Sequence, residues 1–280
     1  MEHIMEKAVI FDIQRGSYVD GPGIRTTVFF KGCNLRCDWC HNPEGQSSEK
    51  QLLFYKNKCG NCGKCKEVCP YRLDKCDLCG KCVDICPNAA REICGKTLTS
   101  REILKEILKD KTFFDVSGGG ATFSGGECML QIGFLEEILR LCKENGINTA
   151  VDTAGNVGWE YLERILPYSD LFLYDVKCFT EELHKSGTGV SNRLILANLK
   201  KLSDKKAKII IRIPLIPTFN DSEKEFKLIA DFLRPLNIEK IEVLPYHGMG
   251  ERKWSAIGSS PTLYPVPSEN IVNQLSKLLI

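Results

Sequence analysis

The chain has 280 residues, a length that corresponds to nearly two domains at about 150 residues per domain. Hydrophobic residues make up 43% and charged residues 26% of the chain, which is typical of a globular protein with a sizeable core and excludes a disordered or fibrous chain. The net charge of +2 excludes a strong overall attraction to nucleic acid or to an anionic membrane, and the longest apolar runs are far shorter than the roughly 18 residues of a membrane span.

Predicted strands and helices alternate along most of the chain. The first strand covers residues 26–31, and a polar linker over 43–57 leads into a cysteine-rich insert. A helix then begins at the capping box formed by Thr99 and Glu102. The other predicted strands are 121–123, 147–152, 171–175, 207–213 and 241–244, and the other predicted helices are 130–144, 159–166, 192–203, 222–233 and 268–279. Six strand–helix units predict an α/β fold with a parallel sheet.

The cysteine-rich insert divides the predicted core into two parts. Residues 55–94 are rich in Lys, Gly and Cys and have few large apolar side chains, so this segment cannot build a hydrophobic core of its own without bound metal. We therefore predict a first core part over 1–54, an insert over 55–94 and a second core part over 95–280.

Fifteen cysteines are the unusual feature of the composition. Residues 1–7 contain no apolar segment typical of a secretory signal, so we expect a cytoplasmic protein, in which clustered cysteines bind metal more often than they form disulfides. Cys94, Cys128, Cys142 and Cys178 are scattered, and we expect them to be core or incidental residues. The other eleven form three groups: Cys33, Cys37 and Cys40; Cys59, Cys62, Cys65 and Cys69; and Cys76, Cys79, Cys82 and Cys86.

The two quartets repeat with an offset of 17 residues, and each is followed by a proline. This is the spacing of bacterial ferredoxins, in which the fourth cysteine of each run ligates the other 4Fe–4S cluster. One cluster is assigned Cys59, Cys62, Cys65 and Cys86, and the other Cys69, Cys76, Cys79 and Cys82. Because only six residues separate Cys69 from Cys76, the exchange of Cys69 and Cys86 stays open. Zinc ribbons fit less well, because they usually pair two C-x-x-C units across a longer loop.

The triplet of Cys33, Cys37 and Cys40 has a different meaning. Three thiolates on an iron–sulfur cubane leave one iron without a protein ligand, and an open coordination position indicates chemistry rather than electron storage, as it does in catalytic zinc sites. The alternatives are that a remote cysteine completes the site or that the triplet binds zinc.

Functional side chains stand at or near the end of every predicted strand. In parallel α/β folds of this kind the carboxyl ends of the strands form the active site, because side chains converge there on one mouth. In strand order these residues are the cysteine triplet, Gly125-Gly126-Glu127, Asp152, Asp175 with Lys177, Arg212 and His247.

With these residues in place, the chain resembles the radical SAM superfamily and, more narrowly, the activating enzymes of glycyl radical enzymes. The resemblance extends over almost the whole chain. The stretches that carry it are 20–25 (DGPGIR), 33–40 (CNLRCDWC), 40–43 (CHNP), 124–127 (SGGE), 174–177 (YDVK) and 244–250 (LPYHGMG).

The resemblance implies a partial, TIM-like (β/α)6 barrel with a ferredoxin-like insert. It implies three 4Fe–4S clusters and S-adenosylmethionine (SAM), which chelates the open iron of the triplet cluster. Reductive cleavage of SAM then gives a 5′-deoxyadenosyl radical that abstracts a hydrogen atom from a backbone glycine of a partner glycyl radical enzyme. Flavodoxin or ferredoxin is the implied electron donor, and the activating enzyme is implied to be a monomer.

The resemblance also implies roles for single residues around SAM. Glu127 and the backbone of Gly125 and Gly126 hold its amino group. Asp152, Lys177 and His247 contact its carboxylate and ribose, while Trp39 and Asn42 pack near the adenine. Asp152 and Asp175 alternatively share a monovalent cation beside SAM.

Four further residues have more open roles under the resemblance. Arg212 lies near the sulfonium or the glycine loop of the partner, with a structural ion pair as the alternative. Asp20 and Arg25 either face that loop or only brace the first strand. Cys128 stands where the family usually has proline, and we expect no function for it.

Two other functions compete with this prediction. One is a radical SAM enzyme that acts on a small molecule or a peptide. The other is a ferredoxin-type electron carrier fused to a structural barrel, which has no use for Glu127 or for an open iron. Formation of 5′-deoxyadenosine from SAM separates the electron carrier from both enzymes.

Overall fold

The computed structural model describes residues 6–279, and residues 1–5, on which part of the expectation of no secretory signal rests, lie outside them together with residue 280. The strands are β1 (Lys7–Ser17), β2 (Arg25–Phe30), β3 (Gln51–Phe54), β4 (Arg91–Cys94), β5 (Lys96–Thr99), β6 (Gly120–Gly125), β7 (Asn148–Thr153), β8 (Leu171–Asp175), β9 (Ile209–Leu215) and β10 (Lys240–Pro245).

Helices follow most of the strands, as an α/β fold requires. They are α1 (Lys64–Val68), α2 (Lys81–Asp84), α3 (Ser100–Leu108), α4 (Lys111–Ser117), α5 (Ile132–Glu144), α6 (Trp159–Ile165), α7 (Glu181–Thr188), α8 (Arg193–Asp204), α9 (Glu223–Leu233), α10 (Glu251–Ala256) and α11 (Glu269–Ser276). Among residues 6–279, none of these helices has the length and apolar character needed to cross a bilayer.

Eight strands form the main sheet, in the order β10-β9-β8-β7-β6-β2-β1-β5. The six strands from β10 to β2 are parallel to one another, whereas β1 pairs antiparallel with both β2 and β5. The six parallel strands are the six predicted from the sequence, so the prediction of an α/β fold with a largely parallel sheet is confirmed. The sequence prediction missed β1 and β5, which lie on one side of this parallel set.

The core lies between the sheet and its helices. Apolar runs such as LFLYD in β8 and IIIRIPL in β9 are buried almost throughout, because both faces of these strands are covered. One face packs in the main core with the helices, and the other contributes Leu171, Leu173 and Ile210 to a separate small cluster. Helix α5 packs its apolar side on the sheet through Phe134, Leu135, Ile138, Leu139 and Cys142. The predicted capping box of α3 is also present, with Glu102 N donating to Thr99 Oγ1 at 3.3 Å.

The predicted polar linker over 43–57 is wrong. Its first residues form a buried 3-10 turn, Pro43–Gly45, and β3 pairs antiparallel with β4 to make a hairpin at the base of the insert. Leu53 and Cys94 of this hairpin pack against Ala256 of α10. Polar residues such as Gln51 therefore do not indicate a solvated linker, because the hairpin buries only one of its faces.

Candidate active site at the cysteine triplet

The loop that carries the cysteine triplet follows β2 and is held by its own backbone. Gly32 N donates to Gly45 O at 2.8 Å, and Cys33 N donates to Gln46 O at 3.1 Å. On the other side, Arg36 N and Asp38 N donate to the carbonyls of Thr188 and Gly187, at 2.8 and 3.1 Å. Each end of the loop is thus bound to a different part of the chain, so the loop is fixed although it contains neither helix nor strand.

The three thiols lie in a partly buried apolar cluster. Cys37 is 8% exposed, and Leu35, Trp39, Ile216 and Tyr246 surround the triplet. Burial raises the pKa of the Cys37 thiol to about 12, and the nearby Lys177 ammonium opposes this rise. Three sulfur donors from one loop, in a pocket that needs a cationic partner to stabilise thiolates, fit the iron–sulfur cluster that the spacing predicts.

The Gly125-Gly126-Glu127 turn packs directly against the cysteine loop. Gly126 N donates to Phe30 O at 2.8 Å, and Glu127 N donates to Gly32 O at 2.7 Å. A Cβ on Gly126 would lie 2.1 Å from the Gly32 carbonyl oxygen. A side chain at position 126 would therefore prevent the contact between this turn and the start of the cysteine loop.

We expect Gly126→Ala to destabilise the protein by about 3 kcal/mol, because the added methyl group meets backbone that cannot move without displacing the cysteine loop. Gly133→Ala in α5 is the matched control, since a Cβ there lies 3.4 Å from the nearest atom and alanine favours helix. Anaerobic thermal denaturation and iron content of both variants measure the effect. Equal midpoints for the two variants would contradict the assigned contact.

Glu127 is fully buried, and its carboxylate is bonded within the protein. Thr153 Oγ1 donates to its two oxygens at 2.9 and 2.8 Å, and Ala154 N and Met129 N donate at 3.1 and 3.3 Å. Burial raises the pKa of Glu127 to about 7, although these hydrogen bonds oppose the rise. The carboxylate therefore joins the end of β6 to the end of β7.

The raised pKa of Glu127 predicts a pH dependence of stability. Because the folded-state pKa of about 7 lies above the ordinary 4.5, the stabilising effect of this group is complete below pH 4.5 and is lost as the pH rises through 7. Relative to Glu127→Gln, the wild-type protein should lose on the order of 3 kcal/mol over this range. Anaerobic thermal denaturation between about pH 5 and about pH 8 measures the difference, and parallel curves for the two proteins would contradict it.

Two charged pairs line the ends of the neighbouring strands. Asp152 Oδ2 accepts from Ser124 Oγ at 2.7 Å and lies 3.4 Å from Arg212, while Asp175 Oδ2 binds Lys177 Nζ at 2.7 Å. Burial raises the pKa of Asp152 to about 6, and Arg212 opposes this rise. Burial by itself lowers the pKa of Lys177, but Asp175 and Cys37 outweigh it and raise the pKa above its usual value.

The structure corrects the position of Arg212 within its strand. Strand β9 continues to Leu215, so Arg212 lies inside the strand, in register with Asp175 of β8 and Glu242 of β10. Its guanidinium also donates to the carbonyl of Val19, which lies in the loop after β1. Arg212 therefore connects that loop with the carboxylates at the strand ends.

Trp39 and Asn42, the residues predicted near adenine, lie next to Cys40. The ring centroids of Trp39 and Phe219 are 4.4 Å apart, and those of His41 and His247 are 4.0 Å apart. Asn42 Oδ1 accepts from Lys253 Nζ at 2.7 Å.

Sequence reasoning missed the support that α10 gives to this side of the site. Trp254 Nε1 donates to Cys40 O at 3.0 Å, and Lys253 binds Glu44 Oε1 at 2.7 Å. Asn220 was also missed, and its side chain donates to the carbonyl of Lys177 at 2.7 Å. None of these residues lies in a recognisable motif, so no signal in the sequence indicates them.

Asp20 and Arg25 brace the first parallel strand. Asp20 Oδ2 accepts from Ser17 Oγ and Thr27 Oγ1 at 2.6 and 2.8 Å. Arg25 is fully buried and donates to Thr122 Oγ1 at 2.6 Å. These contacts favour the bracing role over contact with a partner.

The four scattered cysteines lie in the interior. Cys142 is on the buried side of α5, and Cys94 and Cys178 are buried. Cys128 begins a buried 3-10 turn, Cys128–Gln131, with its Sγ 3.8 Å from the carbonyl oxygen of Asp152. The positions agree with the expectation that these are core residues.

The 17-residue repeat of the insert is also present in its backbone. Asn61 and Leu78 have positive φ angles of 53° and 60°, and Gly63 and Gly80, which precede α1 and α2, have 77° and 81°. Two left-handed residues spaced by two positions therefore recur in each half of the insert. Within residues 6–279 no group of three or more His, Cys, Asp or Glu side chains is arranged around a single metal ion.

Four cysteines line one pocket in the insert: Cys69, Cys76, Cys79 and Cys82. We call this set of cysteines the Cys76 site. We call the other predicted set, Cys59, Cys62, Cys65 and Cys86, the Cys59 site. The pocket includes Cys69 of the first quartet together with three cysteines of the second. This arrangement favours the crosswise pairing of the two quartets.

Comparison with known proteins gives similarities of three kinds: to a family pattern, to whole proteins and to a solved structure. The pattern of the radical SAM superfamily matches residues 27–232. The chain is 48% identical to the trans-4-hydroxy-L-proline dehydratase activating enzyme of Clostridioides difficile over 89% of this chain and 87% of that protein, and 42% identical to the choline trimethylamine-lyase activating enzyme of Oleidesulfovibrio alaskensis over 91% and 88%. A crystal structure of a domain of pyruvate-formate lyase-activating enzyme from Bacteroides vulgatus covers 57% of this chain and 92% of that one, with 35% identity and a TM-score of 0.50.

Proposed function

Because the chain belongs to the radical SAM superfamily and, within it, to the activating enzymes of glycyl radical enzymes, we propose that it installs a glycyl radical in a partner enzyme by abstracting hydrogen from a backbone glycine. Cys33, Cys37 and Cys40 would hold a 4Fe–4S cluster, and this cluster would supply the electron for the reductive cleavage of SAM. The observation that carries the proposal is the fixed, partly buried loop that presents three thiols beside the ends of the parallel strands.

The chain's own residues bind and orient the substrate at this mouth. The carbonyl groups of Gly125 and Gly126 are the better acceptors for the SAM amino group, because the Gly126 N–H already donates to Phe30 O. Glu127 holds the turn in place through its bonds to Thr153 and Ala154. Lys177, held by Asp175, neutralises negative charge next to the thiolates and attracts the SAM carboxylate.

The remaining polar groups shape the two sides of the site. Trp39, Asn42 and His247 lie on the adenine and ribose side, next to Cys40. Asp152 and Asp175 lie on the opposite side, where a monovalent cation is one candidate occupant and Arg212 supplies the countercharge to Asp152. Arg212 also orients the loop after β1 through Val19, at the edge where a glycine loop of the partner enters.

The insert delivers electrons to the triplet cluster in this proposal. It carries two 4Fe–4S clusters, one at the Cys59 site and one at the Cys76 site, and receives electrons from a flavodoxin or a ferredoxin. Support comes from the repeated backbone geometry and from the pocket lined by four cysteines.

Electron paramagnetic resonance of a candidate partner tests the function. The reconstituted protein is incubated anaerobically with SAM, reductant and a panel that begins with trans-4-hydroxy-L-proline dehydratase and choline trimethylamine-lyase, the partners named for two similar proteins. A glycyl radical signal is expected in one partner and not in a variant of it that lacks the radical glycine. Formation of 5′-deoxyadenosine with no glycyl radical in any partner would instead favour an enzyme that acts on a small molecule.

A further inference from the structure

The insert contains a guanidinium that the proposed function does not explain. Arg91, the first residue of β4, stacks on Phe54 with its Cζ 4.5 Å from the ring centroid. Its Nε–H is buried and has no hydrogen-bond partner among residues 6–279. A buried N–H of a charged group is costly to leave without an acceptor. The Nε–H of Arg91 therefore indicates that a hydrogen-bond acceptor binds next to it.

Arg91 lines the same pocket as the four cysteines of the Cys76 site. The other charged side chains in that lining, Lys75 and Asp77, are exposed and opposite in sign. Lys75 and Asp77 balance each other, so Arg91 leaves the lining with one net positive charge, and this charge is partly buried.

The two halves of the insert differ at this position. The residue equivalent to Arg91 in the first half of the repeat, 17 positions earlier, is Asp74, which is exposed. The repeat thus carries a negative charge after its first quartet and a positive charge after its second. Arg91 approaches Cys86 of the Cys59 site through its backbone, but the pocket that it lines is that of the Cys76 site.

We propose, given the two-cluster insert of the proposed function, that Arg91 donates a hydrogen bond toward sulfur of the cluster at the Cys76 site and makes it the more easily reduced of the two insert clusters. Reduction adds one electron and makes the cluster more negative, with no bond formed or broken. A fixed positive charge and an N–H donor stabilise the reduced state, and both raise the reduction potential. Electrons that enter the insert therefore occupy the Cys76 site first.

A redox titration of the full-length, reconstituted protein, followed by electron paramagnetic resonance, tests the role of Arg91. Signals that SAM does not change are assigned to the insert. In Arg91→Gln, the higher of the two insert midpoints should fall by at least the equivalent of a tenfold change in the one-electron equilibrium, about 59 mV. Arg91→Lys keeps the charge but lacks the Nε donor, so its midpoint should fall less. Lys66→Gln, which removes an exposed charge outside the pocket, is the control and should leave this midpoint unchanged.

The outcomes separate this inference from the proposed function. Midpoints in both Arg91 variants that equal the wild-type value overturn the role of Arg91. If Arg91→Gln does not retain its clusters, the midpoint of Arg91→Lys alone is compared with the wild-type value. An equal midpoint then overturns the role of Arg91. Wild-type protein that holds about four irons per chain instead of about twelve overturns the two-cluster insert itself.

Discussion

We expect the Cys37→Ala variant to form no 5′-deoxyadenosine from SAM under reducing, anaerobic conditions. Cys37 is the most buried thiol of the triplet, at 8% exposed, and it lies within the apolar cluster that includes Leu35 and Trp39. Two remaining thiols cannot hold a cubane with a single open iron, so the site should lose its cluster and with it the source of the radical. Iron and sulfide analysis together with chromatographic detection of 5′-deoxyadenosine measure both losses.

Cys142→Ala is the matched control for this experiment. Cys142 is also buried, but it lies on the apolar side of α5 away from the predicted ligands, and alanine removes only one sulfur atom from the core. This variant should keep its full iron content and its 5′-deoxyadenosine formation. Turnover retained by Cys37→Ala would show that the triplet is not the radical source and would end the proposed mechanism.

Removing the insert should separate SAM binding from activation of the partner. Phe54 and Arg91 are paired across the hairpin of β3 and β4, so a short Asn-Gly turn in place of residues 55–90 closes the hairpin without disturbing its strands. The hairpin must be kept, because Leu53 and Cys94 pack against α10, which supports Cys40 through Trp254.

The shortened protein should bind SAM with unchanged affinity but activate its partner at least tenfold more slowly with a flavodoxin or ferredoxin donor. The reason is that the insert clusters are the proposed route for electrons, whereas the SAM site is built by the core. Isothermal titration measures the affinity, and the rate of glycyl radical formation measures the activation. A double substitution of Cys62 and Cys79, two exposed cysteines that are predicted ligands, by alanine provides a second variant that keeps the chain length. Full activation by both variants would show that the insert is dispensable.

The sequence predicted those parts of the site whose residues lie in short, continuous stretches of the chain. The cysteine triplet, the Gly125-Gly126-Glu127 turn and the Asp175–Lys177 pair all follow apolar runs that could be recognised as strands. Because parallel strands end at one edge of a sheet, the order of elements alone predicts that these groups meet. Strands β2, β6, β7, β8, β9 and β10 confirm that order.

The parts that were missed depend on contacts between distant segments. Trp254 reaches the carbonyl of Cys40 across 214 positions of the chain, and Lys253 reaches Asn42 across 211. A lone tryptophan or lysine on a surface helix has no local pattern that distinguishes it from its neighbours. The hairpin of β3 and β4 was missed for a related reason, since its two strands are separated by the whole insert.

The sequence by itself determined the grouping of the thiols along the chain and the six parallel strands, because thiol spacing and apolar periodicity are local properties that the chain carries before it folds. Only the tertiary structure decided that Gly126 is needed against the Gly32 carbonyl, that Glu127 binds Thr153, and that Cys69 shares a pocket with the second quartet. Each of these depends on where close packing places a distant backbone or side chain. A few tenths of an ångström decide such contacts, and no spacing along the chain encodes them.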